Sequence, residues 1–195
     1  MKKTIKEELA SRPKFYEDLS KQDAFIGQIQ EAAELILGCY RKGGKLLIFG
    51  NGGSAAEAQH FSAELIGRFE KKRHALPAIA LTTDTSTLTA QSNDEGFESV
   101  FSRQIEALGQ KDDIALGITT SDVYGTHSAN LLGGFRAAKK KRMKSIGLFS
   151  QKTKKLLSEV DASIIVPHTN TALIQEVQLM LIHLICRLVE KRIEH

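Results

Sequence analysis

His60 and Glu64 stand four residues apart within a predicted helix. Side chains at this spacing lie on one helical face, about one turn from each other. An imidazole and a carboxylate so placed can bind Zn²⁺, can act as a general acid and base, or can form an ordinary surface pair. The spacing alone leaves all three roles open.

Polar side chains also interrupt the last predicted helix, where Gln175, Glu176 and His183 stand among leucine, isoleucine and valine residues. A histidine in such a setting is commonly a core residue with satisfied hydrogen bonds. Gln175 and His183 are roughly 12 Å apart along the helix axis and about 80° apart around it. Both can serve one site only if their side chains lean together, or if a neighbouring subunit completes the site.

A glycine-rich turn, Gly50-Asn51-Gly52-Gly53, follows the apolar residues 46–48 and precedes a helix that begins near Ser54. Exposed N–H groups at a helix start, without bulky side chains, form an anion site. The turn lacks the glycine spacing of dinucleotide-binding loops and the Lys-Ser/Thr pair of triphosphate loops. A tight strand-to-helix connection is the simpler alternative.

A second turn with hydroxyl groups, Thr119-Thr120-Ser121, follows the apolar segment 114–118. Both turns lie at the carboxyl ends of predicted strands, as does Thr82-Thr83-Asp84. In open parallel sheets, ligands bind beyond these ends. The two turns therefore predict a phosphorylated ligand.

Uniformly apolar strands alternate with helices, which is typical of a parallel sheet covered on both faces in an α/β fold. The first helix, at about 5–19, contains Pro13 as a predicted break. The predicted strands are 46–48, 77–81, 113–118, 144–149 and 161–166, and the other helices are about 23–42, 54–69, 97–108, 128–141 and 170–193.

The length of 195 residues predicts one domain, 1–195, with a helical segment at about 1–42 and an α/β core at about 43–195. A net charge of +4 and short basic runs at 139–142 and 152–155 favour solvated helix faces over a nucleic-acid partner. Cys39 and Cys186 are predicted core thiols in a reducing compartment. No membrane-spanning segment or secretory signal is predicted, so the expected location is the cytoplasm without a membrane partner.

Five sequence blocks, in this order, resemble the phosphoheptose isomerases, which are sugar-isomerase (SIS) domain proteins. The blocks are residues 49–56, 60–65, 80–84, 92–97 and 174–176. The resemblance extends over about residues 20–190. It implies a three-layer α-β-α sandwich with a five-stranded parallel sheet, N-terminal helices and a long C-terminal helix.

The resemblance also implies a homotetramer with active sites between subunits and one Zn²⁺ per subunit. The implied reaction converts D-sedoheptulose 7-phosphate to D-glycero-D-manno-heptose 7-phosphate, the first step of heptose biosynthesis for lipopolysaccharide or capsule. The implied metal ligands are His60, Glu64, Gln175 and His183, with Glu64 as base and His183 as acid. The implied substrate contacts are Asn51, Gly52, Gly53, Ser54, Glu64, Asp84, Asn93, Asp94, Thr119, Thr120, Ser121, Ser128 and Gln175.

The chain departs from the family at residues 119–128, where a compact serine-rich turn gains about four residues. Asp122 is expected to repel a phosphate unless the longer loop turns it away. Tyr124 or His127 could add a contact. The glycine-rich turn common after the fourth strand is also missing. Two alternatives follow: a non-catalytic binding protein, like the relative that associates with a bacterial replication initiator, or an isomerase for another ketose phosphate.

Overall fold

The computed structural model describes residues 1–193, so residues 194 and 195 of the predicted domain lie outside the described part. Five parallel strands form one sheet in the order β2-β1-β3-β4-β5, which confirms the predicted parallel sheet. The strands are β1 Leu46–Gly50, β2 Ala78–Ala80, β3 Ile114–Ile118, β4 Lys144–Ser150 and β5 Ala162–Val166. β2 is shorter than the predicted 77–81.

Helices cover both faces of the sheet. They are α1 Lys2–Ser20, α2 Asp23–Arg41, α3 Gly53–Ile66, α4 Thr85–Glu95, α5 Val100–Leu108, α6 Ala129–Lys140 and α7 Thr171–Arg192, with short 3-10 helices at Phe97–Ser99 and Lys155–Glu159. Successive side chains of β1 point to opposite faces, as a strand requires. Leu46 and Ile48 pack with α2, α3 and α7, whereas Leu47 and Phe49 pack with α5 and α6. The result is the predicted three-layer sandwich.

Helix α4 is absent from the sequence-based expectations. It buries none of its residues, so no apolar periodicity marks it. Its start depends on Asp84, whose carboxylate accepts the backbone N–H of Thr87 at 3.1 Å and the Thr87 hydroxyl at 2.7 Å. An N-cap of this kind satisfies a backbone donor that the helix itself leaves free. Asp84 and the small polar residues after it were the available signal.

The predicted break at Pro13 is wrong, because α1 continues through it from Lys2 to Ser20. Proline removes one helical N–H. Residues 6–13 are almost entirely exposed, so water can hydrate the carbonyl group that loses its donor. On its inner side, α1 is attached through the Arg12–Glu176 ion pair and an edge contact between Phe15 and His168.

Among the described residues, α7 is the one helix long and apolar enough to cross a membrane by length and composition. The sequence analysis predicted no apolar stretch of membrane-spanning length, whereas α7 reaches that length. Buried core helices meet the same criterion. α7 contributes Ile174, Val177, Leu181 and Ile185 to the core shared with α2 and α3, which accounts for its apolar composition within this fold.

Both cysteines are free and buried, in α2 and α7, as the sequence predicts. Burial raises the pKa of the Cys39 and Cys186 thiols to about 12. Because the thiolate is the reactive form, neither side chain is a nucleophile at neutral pH.

β1 and β3 lie side by side at the point where the strand order reverses. From β1 the chain crosses to β2 on one side, and from β3 it continues to β4 and β5 on the other. Connections diverge at such a point and leave a crevice beyond the carboxyl ends of the two strands. Both turns singled out in the sequence, 50–53 and 119–121, follow these two strands.

A buried carboxylate, Glu190 of α7, holds the chain that follows α3. It accepts the backbone N–H groups of residues 69, 70 and 71 at 2.9, 2.9 and 3.0 Å, and Nε of Arg73 at 2.9 Å. Burial raises the pKa of Glu190, but these N–H groups and the Arg73 charge outweigh burial and leave the pKa below its usual value. Arg73 also donates to the carbonyls of Glu64 and Leu65. The network ties the end of α3 to α7.

We expect Glu190→Gln to lower the free energy of unfolding by about 3–5 kcal/mol, because it leaves the Arg73 charge buried without a negatively charged partner. Both side chains of the pair are only 1% exposed. Urea unfolding followed by circular dichroism measures the change. Glu70→Gln is the matched control, since the Glu70–Arg187 pair is 47% and 45% exposed and should contribute less than about 1 kcal/mol. Equal losses in the two variants would contradict a special role for Glu190.

Candidate functional site

His60, Glu64 and His183 converge where α3 packs along α7. The two imidazole Nε2 atoms are 2.8 Å apart, and Nε2 of His60 is 3.5 Å from Oε1 of Glu64. The potential ligand atoms of all three side chains lie within 4.8 Å of one another. All three are partly exposed, so a small ion or molecule can reach them.

The donor set fits a zinc ion. Zn²⁺ takes imidazole nitrogen and carboxylate oxygen at about 2.0–2.2 Å in tetrahedral geometry, which places neighbouring ligand atoms about 3.3 Å apart. The observed separations of 2.8 and 3.5 Å lie on either side of that value. Within residues 1–193, it is the one group of three such side chains with this spacing.

The aromatic ring of Phe69 stacks on the His183 imidazole, with centroids 5.3 Å apart and planes 16° from parallel. Phe69 follows α3, and its backbone N–H is one of those that Glu190 holds. The Arg187 guanidinium lies 5.8 Å from the Phe69 centroid. The orientation of His183 therefore depends on the Glu190 network. The sequence pattern did not indicate Phe69, because aromatic residues after a helix usually serve packing.

Gln175, the remaining predicted ligand, lies against the glycine turn. Its side-chain amide occupies the space that a Cβ at Gly53 would need. Gly53 precedes His60 by seven residues on α3, and Gln175 precedes His183 by eight residues on α7. Because both contacts follow in the same order along the two helices, α3 and α7 run side by side in the same direction. Within one chain, Gln175 is thus placed at the turn, about two helical turns before His183.

Backbone geometry requires glycine at two positions of the turn. Gly52 has φ +55° and ψ −120°, a conformation that L side chains rarely adopt. A Cβ at Gly50 would come within 2.9 Å of the Ile118 carbonyl oxygen of neighbouring β3. Glycine is therefore required at position 52 by the backbone conformation and at position 50 by the close approach of β3.

A reciprocal amide pair bridges the crevice between the two turns. Nδ2 of Asn51 donates to Oδ1 of Asn130 at 2.9 Å, and Nδ2 of Asn130 donates to Oδ1 of Asn51 at 2.8 Å. Asn130 is 1% exposed, in the first turn of α6. The sequence analysis missed Asn130, whose only signal was a polar residue at the start of an apolar helix.

The carbonyl groups of Thr119, Thr120 and Ser121 are each held by a different buried side chain. The donors are Nε2 of Gln178 at 3.1 Å, the Ser150 hydroxyl at 2.9 Å and the Thr153 hydroxyl at 2.8 Å, in that order. Ser150 is the last residue of β4, and Thr153 lies between β4 and the second 3-10 helix. They fix the backbone of the 119–121 turn.

Asp122 turns away from this turn. Its carboxylate is buried and accepts the Lys155 backbone N–H at 3.0 and 3.1 Å, at the start of the second 3-10 helix. Burial raises the pKa of Asp122, but backbone N–H groups that include that of Lys155 outweigh burial and lower it. The Asp122 carboxylate therefore stays ionised but is bound by backbone donors at the second 3-10 helix, so it does not occupy the 119–121 turn where a phosphate is expected.

The other predicted contacts occupy separate places. Ser54 is buried in the first turn of α3, and Ser128 precedes α6 with φ +56°. Asp84 caps α4. In the described part of the chain, Asn93 and Asp94 hydrogen-bond to each other and to none of the other predicted site residues.

Glu57 is a buried carboxylate between the glycine turn and His60. It is 7% exposed, and among the described residues neither oxygen has a hydrogen-bond partner. Burial raises the pKa of Glu57 to about 7, and the nearby Ser54 hydroxyl opposes this rise only in part. The sequence does not distinguish it from the exposed glutamates of other helices.

The folded chain binds the Glu57 proton more tightly than the unfolded chain does, so this group's contribution to stability is fully present at low pH. We expect it to be lost between about pH 4.5 and pH 7, at a total cost of roughly 3 kcal/mol. Glu57→Gln should remove this pH dependence and be more stable than the parent protein at about pH 8. Urea unfolding at several pH values measures the effect. Glu31→Gln, on an exposed position of α2, should leave the pH dependence unchanged, and an identical profile for Glu57→Gln would refute the assignment.

Comparisons with known proteins identify the family to which this fold belongs. The SIS domain family matches residues 15–150. The chain is 50% identical to the phosphoheptose isomerase of Campylobacter jejuni subsp. jejuni over 165 residues, which span 85% of this chain and 87% of that relative.

Solved structures of phosphoheptose isomerases from Francisella tularensis and Neisseria gonorrhoeae are similar over 97% of this chain and 98% of theirs. Their TM-scores are 0.89 and 0.87, with sequence identities of 36% and 39%. The chain therefore belongs to the phosphoheptose isomerase family of SIS-domain enzymes.

Proposed function

We propose that this protein isomerises D-sedoheptulose 7-phosphate to D-glycero-D-manno-heptose 7-phosphate. The observation that supports the proposal most directly is the convergence of His60, Glu64 and His183 on adjoining helices of the SIS fold. The identity of the substrate is inferred from the phosphoheptose isomerases to which the chain is similar. A binding protein without catalysis would not need this cluster of metal-binding side chains.

His60, Glu64 and His183 would hold one Zn²⁺ per subunit, and we assign Gln175, supplied by a neighbouring subunit, as a further ligand. When bound, the ion supplies a Lewis acid that polarises the sugar carbonyl and stabilises negative charge on its oxygen. Both imidazoles must be neutral to bind the metal. The stacked ring of Phe69 and the Glu190 network would keep His183 oriented toward the site.

Glu64 and His183 would transfer the protons of the aldose–ketose exchange. The Glu64 carboxylate would take a proton from C1 of the ketose, while the neutral His183 ring would give its Nδ1 proton to the C2 oxygen, which produces an enediol. The protonated Glu64 then returns its proton to C2, and His183 accepts the proton of the C1 hydroxyl. The aldehyde forms at C1, and both side chains regain their initial states.

The crevice between β1 and β3 would receive the phosphorylated substrate. Asn51, Gly52, Gly53 and Ser54 lie on one side of it, and Thr119, Thr120, Ser121 and Ser128 on the other. Helix starts and glycine backbone favour anionic groups. Asp84, Asn93 and Asp94 remain proposed contacts, supplied from α4 of the same or a neighbouring subunit.

We assign the protein to a homotetramer with active sites between subunits. Exposed apolar side chains support association, with Leu9 of α1 70% exposed and Ile5 and Ile26 about half exposed. An apolar groove between α2 and α7 continues this surface, lined by Ile26, Ile29, Ala33, Leu184 and Leu188. We place the enzyme in the cytoplasm, where it would provide heptose phosphate for lipopolysaccharide or capsule.

Purified protein should contain about one zinc per subunit and convert sedoheptulose 7-phosphate, with activity lost to a chelator and restored by Zn²⁺. His60→Ala should lose the metal and at least about 100-fold in kcat, since a ligand and a neighbour of the base are removed together. Mass spectrometry of the metal and a coupled assay of the product measure both effects.

His74→Ala is the matched control, because His74 is exposed and lies outside the cluster; it should retain metal and turnover. Folding of both variants is checked by circular dichroism. Parent protein without metal or turnover would favour the non-catalytic alternative. Turnover of a different ketose phosphate in preference to sedoheptulose 7-phosphate would favour the other isomerase.

A further inference from the structure

The loop at residues 121–128 forms an ordered hairpin beside the 119–121 turn. Tyr124 and His127 pair through two backbone hydrogen bonds of 3.2 and 2.9 Å, and Gly125 turns the chain with φ +56°. Nζ of Lys155 donates to the Val123 carbonyl at 3.0 Å and lies 6.0 Å from the Tyr124 ring centroid. The inserted residues therefore have a defined conformation.

This hairpin places the His127 imidazole on the hydroxyl turn. Nε2 of His127 is 2.9 Å from Oγ of Ser121. Oγ of Ser121 also lies 3.4 Å from Oγ1 of Thr119, so the three side chains form one connected group. His127 is exposed, and a ligand in the crevice can contact it.

From this geometry we propose that His127 binds the phosphate group of the substrate together with Ser121. The inference rests on the proposed function, because it takes the ligand of this crevice to be a sugar phosphate.

The backbone of the turn is suited to an anion because its acceptors are already engaged. All three carbonyl groups of residues 119–121 are bound by buried donors from α7, β4 and the segment after β4. A phosphate ester offers only acceptor oxygens at neutral pH, so a carbonyl facing it would be repulsive. Because these carbonyl groups bind the buried donors, the hydroxyl and imidazole groups are the side-chain groups of the turn that can bind a phosphate.

The charges around His127 also favour an anion. The one carboxylate of the hairpin, Asp122, is buried against the Lys155 backbone N–H. The Lys155 ammonium contacts the hairpin, where it donates a hydrogen bond to the Val123 carbonyl. Helix α6 begins at Ala129, two residues after His127, and its N-terminal end carries partial positive charge. Without a ligand, the Ser121 hydroxyl and the His127 imidazole hydrogen-bond to each other. With a ligand, the hydroxyl O–H and an imidazole N–H can each donate to a phosphate oxygen instead.

A purely structural role for His127, as a hydrogen-bond partner of Ser121, makes different predictions. It would change the stability of the hairpin without a specific effect on phosphate affinity. The experiment therefore measures kcat and KM separately, together with the affinity for inorganic phosphate. Isothermal titration calorimetry with inorganic phosphate requires no turnover and tests the subsite even if the proposed substrate is wrong.

We expect His127→Ala to raise the KM for sedoheptulose 7-phosphate and the Kd for inorganic phosphate by about tenfold, with kcat changed less than about threefold. His127→Gln retains an N–H donor and should recover at least half of the lost affinity on a logarithmic scale. Tyr124→Ala is the control, since it removes the exposed side chain at the other position of the hairpin pair and should leave both constants unchanged.

Unchanged KM and phosphate Kd in His127→Ala would overturn the inference and leave the proposed isomerase intact. A loss of kcat without a change in phosphate affinity would also overturn it. If the parent protein turns over no sedoheptulose 7-phosphate, the proposed function fails, but weaker phosphate binding by His127→Ala than by Tyr124→Ala still supports the subsite. Equal weakening in both variants contradicts it.

Discussion

The carboxylate of Glu190 lies buried between the end of α3 and the last turns of α7, where three backbone N–H groups and Arg73 bind it. Through Arg73 it reaches the carbonyl of Glu64, and through the backbone of Phe69 it supports the ring that stacks on His183. Two helices from distant parts of the chain are thereby held in one register. That register brings His60 within hydrogen-bonding distance of His183 and sets Gln175 on the glycine turn.

A second group of polar contacts fixes the crevice at the other end of these helices. The Asn51–Asn130 pair joins the turn after β1 to the start of α6. Gln178 donates to the carbonyls of Thr119 and Leu148 from inside the apolar face of α7. Buried hydrogen bonds of this kind are costly to leave unmade, so they restrict the turns to one arrangement. The backbone of the proposed substrate site is thus held in place by buried amide side chains.

Glu57 differs from these hydrogen-bonded side chains. Its carboxylate is buried close to the proposed site, and neither of its oxygens has a hydrogen-bond partner within the described chain. Such a group reduces the stability of an isolated subunit at neutral pH.

The sequence by itself determined the parallel α/β fold, because apolar strands and amphipathic helices repeat with periods that water and the peptide backbone impose. It also determined the glycine turn, since Gly52 requires a conformation that other residues rarely adopt, and it indicated His60 and Glu64 through their helical spacing. It did not indicate α4, which buries no side chains, or the continuity of α1 through Pro13. Only the tertiary structure decided which distant residues meet. His183 contacts His60, Gln175 contacts Gly53, Asp122 turns to the Lys155 backbone, and His127 reaches Ser121, because each contact depends on how separate elements pack, and no local periodicity encodes that packing.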